Sequence, residues 1–514
     1  MWFKGEDTIT KIVIPEGVEK IGAYAFANLK SLEEVVLPST LKMIDQGAFY
    51  GCTKLKKVEG LENVKFINQY TFYGCSLEGE INLNSAAAVA NYAFATGLIT
   101  NYDETYGWYT EKAGENAFTS VVLSEKTQSI GEYAFYGSKK LQKVTIKAEK
   151  VQLGMCAFAD CSALTEISEI NAAVIPSGLF DGCTSLENVS IGKDVAKIGE
   201  YAFSRTKIKS FSVNEDNQTF FPVENEAYIL NKSGDTILLF APGANGSVEI
   251  LSSGIKTIGA NAFSGCSRIT SVKIPSVTAV EDFGFAGCTS LSTIELGSLT
   301  KIGQYAFHKT RITSTHALDG LTELGAYAYA ETNVQSVVIP AGLVVGEGAF
   351  RDCRRLASVE IGDNAVLGTD AFRTNGYWST SFYEEDGKKY YHYVYLSPLH
   401  SLTIGKNVTI GDSAFYGAAE LVSVELGEGA TIGAYAFYNA DALKTIDLSK
   451  VVSIGDYAFS GDVLYEYTNS DMSSTRTDDK GTYIYRYYSP DFESVDLSSL
   501  KSLGNESFAY CRKP

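Results

Sequence analysis

The chain has 514 residues, 45% of them hydrophobic, and a formal charge of -18. So large an acidic excess argues against a nucleic-acid or anionic-membrane surface, because both need a basic footprint. No stretch reaches the roughly 18 to 20 apolar residues of a membrane span, while the hydrophobic share is ample for a continuous core.

The opening MWFKGEDTIT has neither the basic start nor the apolar run of a signal peptide. The first strand is expected near Ile9, and the last repeat breaks off at Cys511 to Pro514 without a polar cap. The chain therefore reads as a piece of a longer protein whose targeting and anchoring segments lie elsewhere. From Ile21 onward one pattern dominates, Ile-Gly-x-x-Ala-Phe, as in IGAYAF at Ile21 to Phe26, IGEYAF at Ile130 to Phe135 and IGDYAF at Ile454 to Phe459. Eighteen copies, some degenerate, close on Phe26, Phe49, Phe72, Phe94, Phe135, Phe158, Phe180, Phe203, Phe263, Phe285, Phe307, Tyr329, Phe350, Phe372, Phe415, Phe437, Phe459 and Phe508. Uninterrupted neighbours lie 21 to 23 residues apart. That is the period of a solenoid whose units cannot bury a core alone and must stack. The repeat overrides the length prior for several globular domains, so residues 1–514 are expected to form one solenoid of about eighteen repeats.

In the second coil, SLEEVVLPSTLKMIDQGAFYGC, Leu32, Val35 and Leu37 have the spacing of a short strand with its apolar residues inward. The same strand recurs, for example as Leu186, Val189 and Ile191, which predicts a β-rich solenoid with one parallel strand per coil. The repeat Phe is expected to stack on the Phe of the next coil. The Gly after the Ile is expected to hold a backbone conformation that a side chain would strain. A Tyr lies two residues before the repeat aromatic in nine copies, Tyr24, Tyr133, Tyr305 and Tyr435 among them; so regular a column reads as packing.

IGxxAF, the Gly-Cys-Thr/Ser-x-Leu that follows it (GCTKL from Gly51, GCTSL from Gly182 and Gly287) and strand ends such as IVIP at Ile12 and VVIP at Val337 carry a resemblance. The chain resembles the BspA-like branch of the leucine-rich repeats over nearly all of residues 8–512. The resemblance implies a cell-surface or secreted protein of a bacterium or a protist parasite that binds host matrix proteins, host cells or other microbes. It supplies no catalytic residues.

Four interruptions break the repeat. The one at 214–247 contains AYILNKSGDTILLFAP, a predicted hairpin with Gly234 in its turn, and a similar element is common in the family resembled. The other three, 96–115, 374–398 and 462–490, enter one corner of the coil between the repeat Phe and the next strand. They hold fifteen of the 32 tyrosines, so the solenoid core does not account for these rings. In the insertion at 374–398, Asp386-Gly387 is a two-residue hairpin turn that would pair Glu385 with Lys388, Glu384 with Lys389, Tyr383 with Tyr390 and Phe382 with Tyr391. In the insertion at 462–490, LYEYT and TYIYRYY read as two strands. Three rungs apart, these two hairpins are expected to lean together. Candidate binding residues are Trp378, Tyr383, Tyr390, Tyr391, Tyr393 and Tyr395 on one, and Tyr465, Tyr467, Tyr483, Tyr485 and Tyr487 on the other, since Tyr gives large contact area at low entropic cost. The alternative is that the hairpins only shield the solenoid flank.

The strand register also predicts two outward columns. One carries Ser and Thr, among them Ser271, Ser314, Ser358 and Thr445. The other runs Lys273, Glu295, His316, Val338, Glu360, Thr403, Glu425, Asp447, Asp496. Glu360, Glu425, Asp447 and Asp496 are candidate binding residues, and the last three are expected on consecutive rungs with their Cβ atoms about 5 Å apart. Such a ladder could hold a cation, serve as a carboxylate pair or face a basic partner.

Eight of nine cysteines fall three residues after the repeat aromatic, and no C-x-x-C pair occurs. Two readings stand, inter-coil staples and buried free thiols. His308, His316, His392 and His400 belong to no nucleophile motif, and no phosphate-binding loop or HExxH is present. The expectation is a non-catalytic, monomeric recognition module without cofactor or metal. Its ligand would be a protein or a glycan, with no nucleic acid and no membrane insertion. A passive spacer displaying another domain and a carboxylate-based hydrolase are the rival readings.

Overall fold

The structure is a computed structural model describing residues 8–103, 107–223, 227–374, 377–385, 388–461, 463–467, 483–487, 490, 492, 494–509 and 511. The chain divides into two compact units, Met1–Gly246 with Asn261–Arg268, and Ser247–Ala260 with Ile269–Pro514. Both are stacks of coils.

Each unit carries the expected parallel sheet. In the first, Glu78–Leu83, Ala117–Leu123, Lys143–Ile146 and Glu166–Ile167 pair in sequence order. In the second, Ser336–Ile339, Ser358–Ile361, Ser401–Ile404, Ser423–Leu426 and Thr445–Ile446 do so. A further strand of only two residues forms on the repeat Ile, as where Ser129–Ile130 lies between Ala88–Val89 and Gln152–Leu153. It was not expected, because two residues carry no readable period.

The aromatic column is the spine of both units. Phe135 stacks on Phe94 at 5.1 Å and on Phe158 at 5.3 Å between ring centroids, and Phe158 stacks on Phe180 at 5.8 Å. In the second unit the stack runs from Phe285 through Phe307 and Tyr329 to Phe350, then on to Phe508. The interruption at 214–247 forms the predicted hairpin, Tyr228–Leu230 against Thr236–Phe240, with Gly234 at φ 75°. Its last residue joins the column. Phe240 stacks on Phe263 at 4.4 Å, and its N–H donates to the carbonyl of Ala262, as the N–H of Phe26 does to Ala48. The sequence pattern hid this member because Phe240 has no Ile-Gly before it.

The column cysteines are neither staples nor orphans. None of the nine cysteines forms a disulfide. The thiols of Cys52, Cys75, Cys161 and Cys353 donate to the carbonyl of the aromatic one coil earlier at 3.1 to 3.3 Å, which fits a small apolar side chain with a weak donor. Burial pushes Cys161 up to about 12 and Cys353 to about 11, so these thiols stay protonated.

The repeat Gly has a different role from the one expected. The left-handed residue stands two before the repeat aromatic in all eighteen coils, at Tyr24 (φ 54°), Gly47 (φ 59°), Tyr133 (φ 55°) and Tyr457 (φ 57°) among others. For a non-glycine residue that conformation costs about 1–2 kcal/mol. Ring stacking between successive tyrosines, 5.0 Å for Tyr70 on Tyr92 and 4.9 Å for Tyr92 on Tyr133, offsets part of it. The Gly after the Ile is required instead by close approach of the coil before it. A Cβ on Gly325 would meet the backbone of Gly303 at 2.3 Å, whereas one on Gly22, in the first coil, meets nothing within 4 Å. Gly325→Ala is therefore expected to cost about 1–3 kcal/mol in chemical denaturation, and Gly22→Ala less than about 0.5 kcal/mol. Equal effects at the two sites would contradict this account.

Candidate functional site

The three corner insertions are antiparallel hairpins. Leu98–Asp103 pairs with Gly107–Lys112, Tyr377–Glu385 with Lys388–Leu396, and Val463–Tyr467 with Tyr483–Tyr487. In the second hairpin all four expected pairs are present, Glu385 with Lys388, Glu384 with Lys389, Tyr383 with Tyr390 and Phe382 with Tyr391. The Asp386-Gly387 turn itself lies outside the described residues, as does most of the segment joining the strands of the third hairpin. The first hairpin had no predicted register because its sequence offers no turn dipeptide.

Register assigns the candidate positions to strand faces, since alternate positions along a strand and directly paired positions share a face. On the second hairpin Trp378, Phe382, Tyr391, Tyr393 and Tyr395 share one face, and Tyr383 and Tyr390 occupy the other. On the third, Val463↔Tyr487, Tyr465↔Tyr485 and Tyr467↔Tyr483 place all five candidate tyrosines on a single face, with Leu464, Glu466, Ile484 and Arg486 on the reverse. The strand Lys388–Leu396 approaches Val463–Tyr467 to within 8 Å between Cα atoms, so the two hairpins lean together as expected.

A second tyrosine column, one residue after the repeat aromatic, lies beside the feet of the first and second hairpins. A Cβ on Gly97, at the foot of the first hairpin, would lie 2.4 Å from the Tyr73 hydroxyl. Arg373, at the foot of the second, sits over the Tyr416 ring at 4.5 Å. Tyr73 stacks on Tyr50 at 5.5 Å and meets Tyr70 edge-on at 5.7 Å; Tyr416 stacks on Tyr438 at 5.2 Å. These rings are half-buried.

The acidic column is only partly assembled. In the second unit Val338, Glu360, Thr403 and Glu425 pair rung by rung as expected. Asp447 and Asp496 do not continue it, a correction to the three-rung ladder. Thr445–Ile446 ends before Asp447, whose carboxylate accepts from the Ser449 N–H at 3.0 Å and the Ser449 hydroxyl at 2.6 Å, which hold its pKa below the usual value. Asp496 lies outside any strand and accepts from the Ser498 N–H at 2.9 Å. The shared Asp-Leu-Ser is the signal that was missed, since an Asp bonding the backbone two residues on favours a turn over a strand. Among the described residues no group of three His, Cys, Asp or Glu side chains could hold a metal ion.

His316 is a second correction, because it turns inward instead of joining the outward column. Its ring stacks on Phe307 at 5.1 Å and its Nδ1 lies 3.3 Å from the hydroxyl of Tyr329. Tyr329 is the one hydroxyl-bearing member of the column and is fully buried, so its OH needs this partner. Burial lowers His316 from 6.5 to about 4. Between those values the unfolded chain binds a proton that the folded chain does not, so stability is fully present above pH 6.5 and falls as the pH drops through the window. The expected loss from pH 7 to pH 5 is about 2 kcal/mol. The double variant His316→Leu, Tyr329→Phe should lose this component, as read by denaturation at the two pH values. An unchanged pH dependence in that variant would rule His316 out as its source. His308 pairs with Glu331 at 3.1 Å and His400 with the Pro398 carbonyl at 3.0 Å.

Short parallel strands, a coil of 21 to 23 residues and an inward aromatic column define a leucine-rich-repeat solenoid. The BspA type leucine rich repeat region matches residues 1–105, 112–228, 250–377 and 388–513, and the chain belongs to that family. Three solved structures are similar to it. A leucine-rich repeat protein from Bacteroides ovatus is 20% identical, with 88% of this chain and 94% of that one covered, at a TM-score of 0.35. The pneumococcal vaccine antigen PcpA is 15% identical, with coverage of 88% and 85% and a TM-score of 0.39. A leucine rich cell surface protein from Faecalibacterium prausnitzii is 18% identical, with coverage of 68% and 89% and a TM-score of 0.31. No curated protein matches the chain. Among the described residues no helix is long and apolar enough to cross a membrane.

Proposed function

We propose that the chain is a non-catalytic recognition module of a cell-surface or secreted protein, monomeric, which holds a protein or glycan ligand on the second and third hairpins. The observation that carries this reading is the register of the third hairpin, which gathers Tyr465, Tyr467, Tyr483, Tyr485 and Tyr487 on one face while the reverse face carries none. A cladding hairpin has no need to segregate its rings in this way. Tyr is the residue most used where one rigid surface must meet a partner through both ring and hydroxyl. The outward Glu360 and Glu425 give the neighbouring sheet face an acidic character that favours a basic partner surface. The cell-surface setting is supported by the family, and the similar Faecalibacterium protein is a cell surface protein.

The test is a binding screen of the chain against matrix proteins, mucins and glycan arrays, run beside a version lacking the second and third hairpins. Ligands captured by the intact chain and lost without the hairpins are expected. Equal capture by both forms would leave the passive-spacer reading in its place.

A further inference from the structure

We infer that the foot of the first hairpin is a separate binding site for a sugar-sized organic anion, one bearing a single carboxylate or sulfate. The site is a cavity of about 680 Å³ between the hairpin stem and the corner of the following coil. That volume lies in the range of small-molecule pockets, roughly 300–1,000 Å³. Three lysines, Lys112, Lys139 and Lys140, line it against one acid, Glu115, in a chain whose overall charge is -18. Lys112 pairs with Glu115 at 2.7 Å, whereas Lys139 and Lys140 form no ion pair among the described residues. The lining thus carries two further cations beyond the Lys112–Glu115 pair and no second acid.

Their placement is a local departure from the repeat. Where the coil of Phe180 reads Gly-Cys-Thr-Ser-Leu from Gly182, this coil reads Gly-Ser-Lys-Lys-Leu from Gly137, so both lysines stand at the corner from which the preceding hairpin rises. The positive potential is felt within the site, since Lys139 and Lys140 add to Lys112 in holding the Glu115 carboxyl below its usual range. Hydroxyls complete the wall. The Thr96 Oγ1 donates to the Gly137 carbonyl at 3.0 Å, leaving its oxygen able to accept from a sugar hydroxyl, and Ser162 lines the far side. Ammonium groups for the acid and hydroxyls for the ring suit an acidic sugar better than a bare ion or a neutral saccharide. The inference does not rest on the reading of the other two hairpins.

The experiment titrates the whole chain by calorimetry at low salt with glucuronate and galactose 6-sulfate, beside glucose, galactose and inorganic sulfate. At least one acidic sugar should bind ten times or more tightly than its neutral parent. Lys139→Ala with Lys140→Ala, both exposed and outside the packed core, should weaken it about tenfold, and raising the salt to about 0.15 M should weaken it further. The stronger acidic sugar identifies carboxylate or sulfate as the group recognised. Binding of the neutral parent as tightly as the acid, no effect of the double lysine variant, or inorganic sulfate matching galactose 6-sulfate would each overturn the inference.

Discussion

Phe135→Ala is expected to destabilise the protein by about 3–5 kcal/mol, the range for deleting a buried aromatic ring. Phe135 is fully buried, stacked on both sides at 5.1 and 5.3 Å, and met edge-on by Phe118 at 6.5 Å. In a stack of coils each unit is held only by its neighbours, so the cavity weakens two interfaces at once. Phe26→Ala should cost markedly less. Phe26 is half-buried and, among the described residues, stacks on one ring, Phe49, at 5.4 Å. Denaturant titration of the two variants would show the difference, and equal losses would mean that stacking across coils is not what supports the column.

The second large effect is on binding. Tyr465→Ala and Tyr485→Ala, directly paired on one face of the third hairpin, should each weaken ligand binding by about 1–2 kcal/mol or more, roughly tenfold, as buried aromatic anchors do. Changes on the reverse face, Leu464→Ala and Arg486→Ala, should matter little. Cross-strand aromatic pairs in general support strand pairing, so Tyr→Phe at the same positions is the control. It keeps the ring pairing and removes only the hydroxyl, and binding should recover to the extent that the ring is the anchor. Comparable losses on the two faces would mean that the ribbon acts through its fold and not through a tyrosine surface.

Some of this architecture is legible in the residues and some is not, for physical reasons. The column from Phe26 to Phe508 is readable because a stacked core forces the same side chain to recur at the coil period. The register of the second hairpin is readable because Asp386-Gly387 and the flanking Glu-Lys and Tyr-Tyr pairs agree on one alignment. The repeat Gly misleads because a glycine can serve backbone dihedral or close approach, and only the neighbouring coil, at 2.3 Å from a Cβ on Gly325, distinguishes them. Asp447 and His316 mislead because alternation assumes that the strand continues. A local Asp-to-Ser hydrogen bond ends the first strand early, and a buried Tyr329 hydroxyl draws the imidazole of the second inward. Phe240 shows that a coil can keep its core residue while losing its motif.

The most direct measurement replaces residues 375–396 by one glycine. This restores the Phe372-to-Leu399 spacing to that between Phe350 and Leu356 in an uninterrupted coil. Thermal unfolding and ligand binding are then read on the same sample. The account predicts an unchanged unfolding transition together with binding reduced at least tenfold. Unchanged binding on an intact solenoid would contradict it, and the hairpins would then be cladding on a spacer.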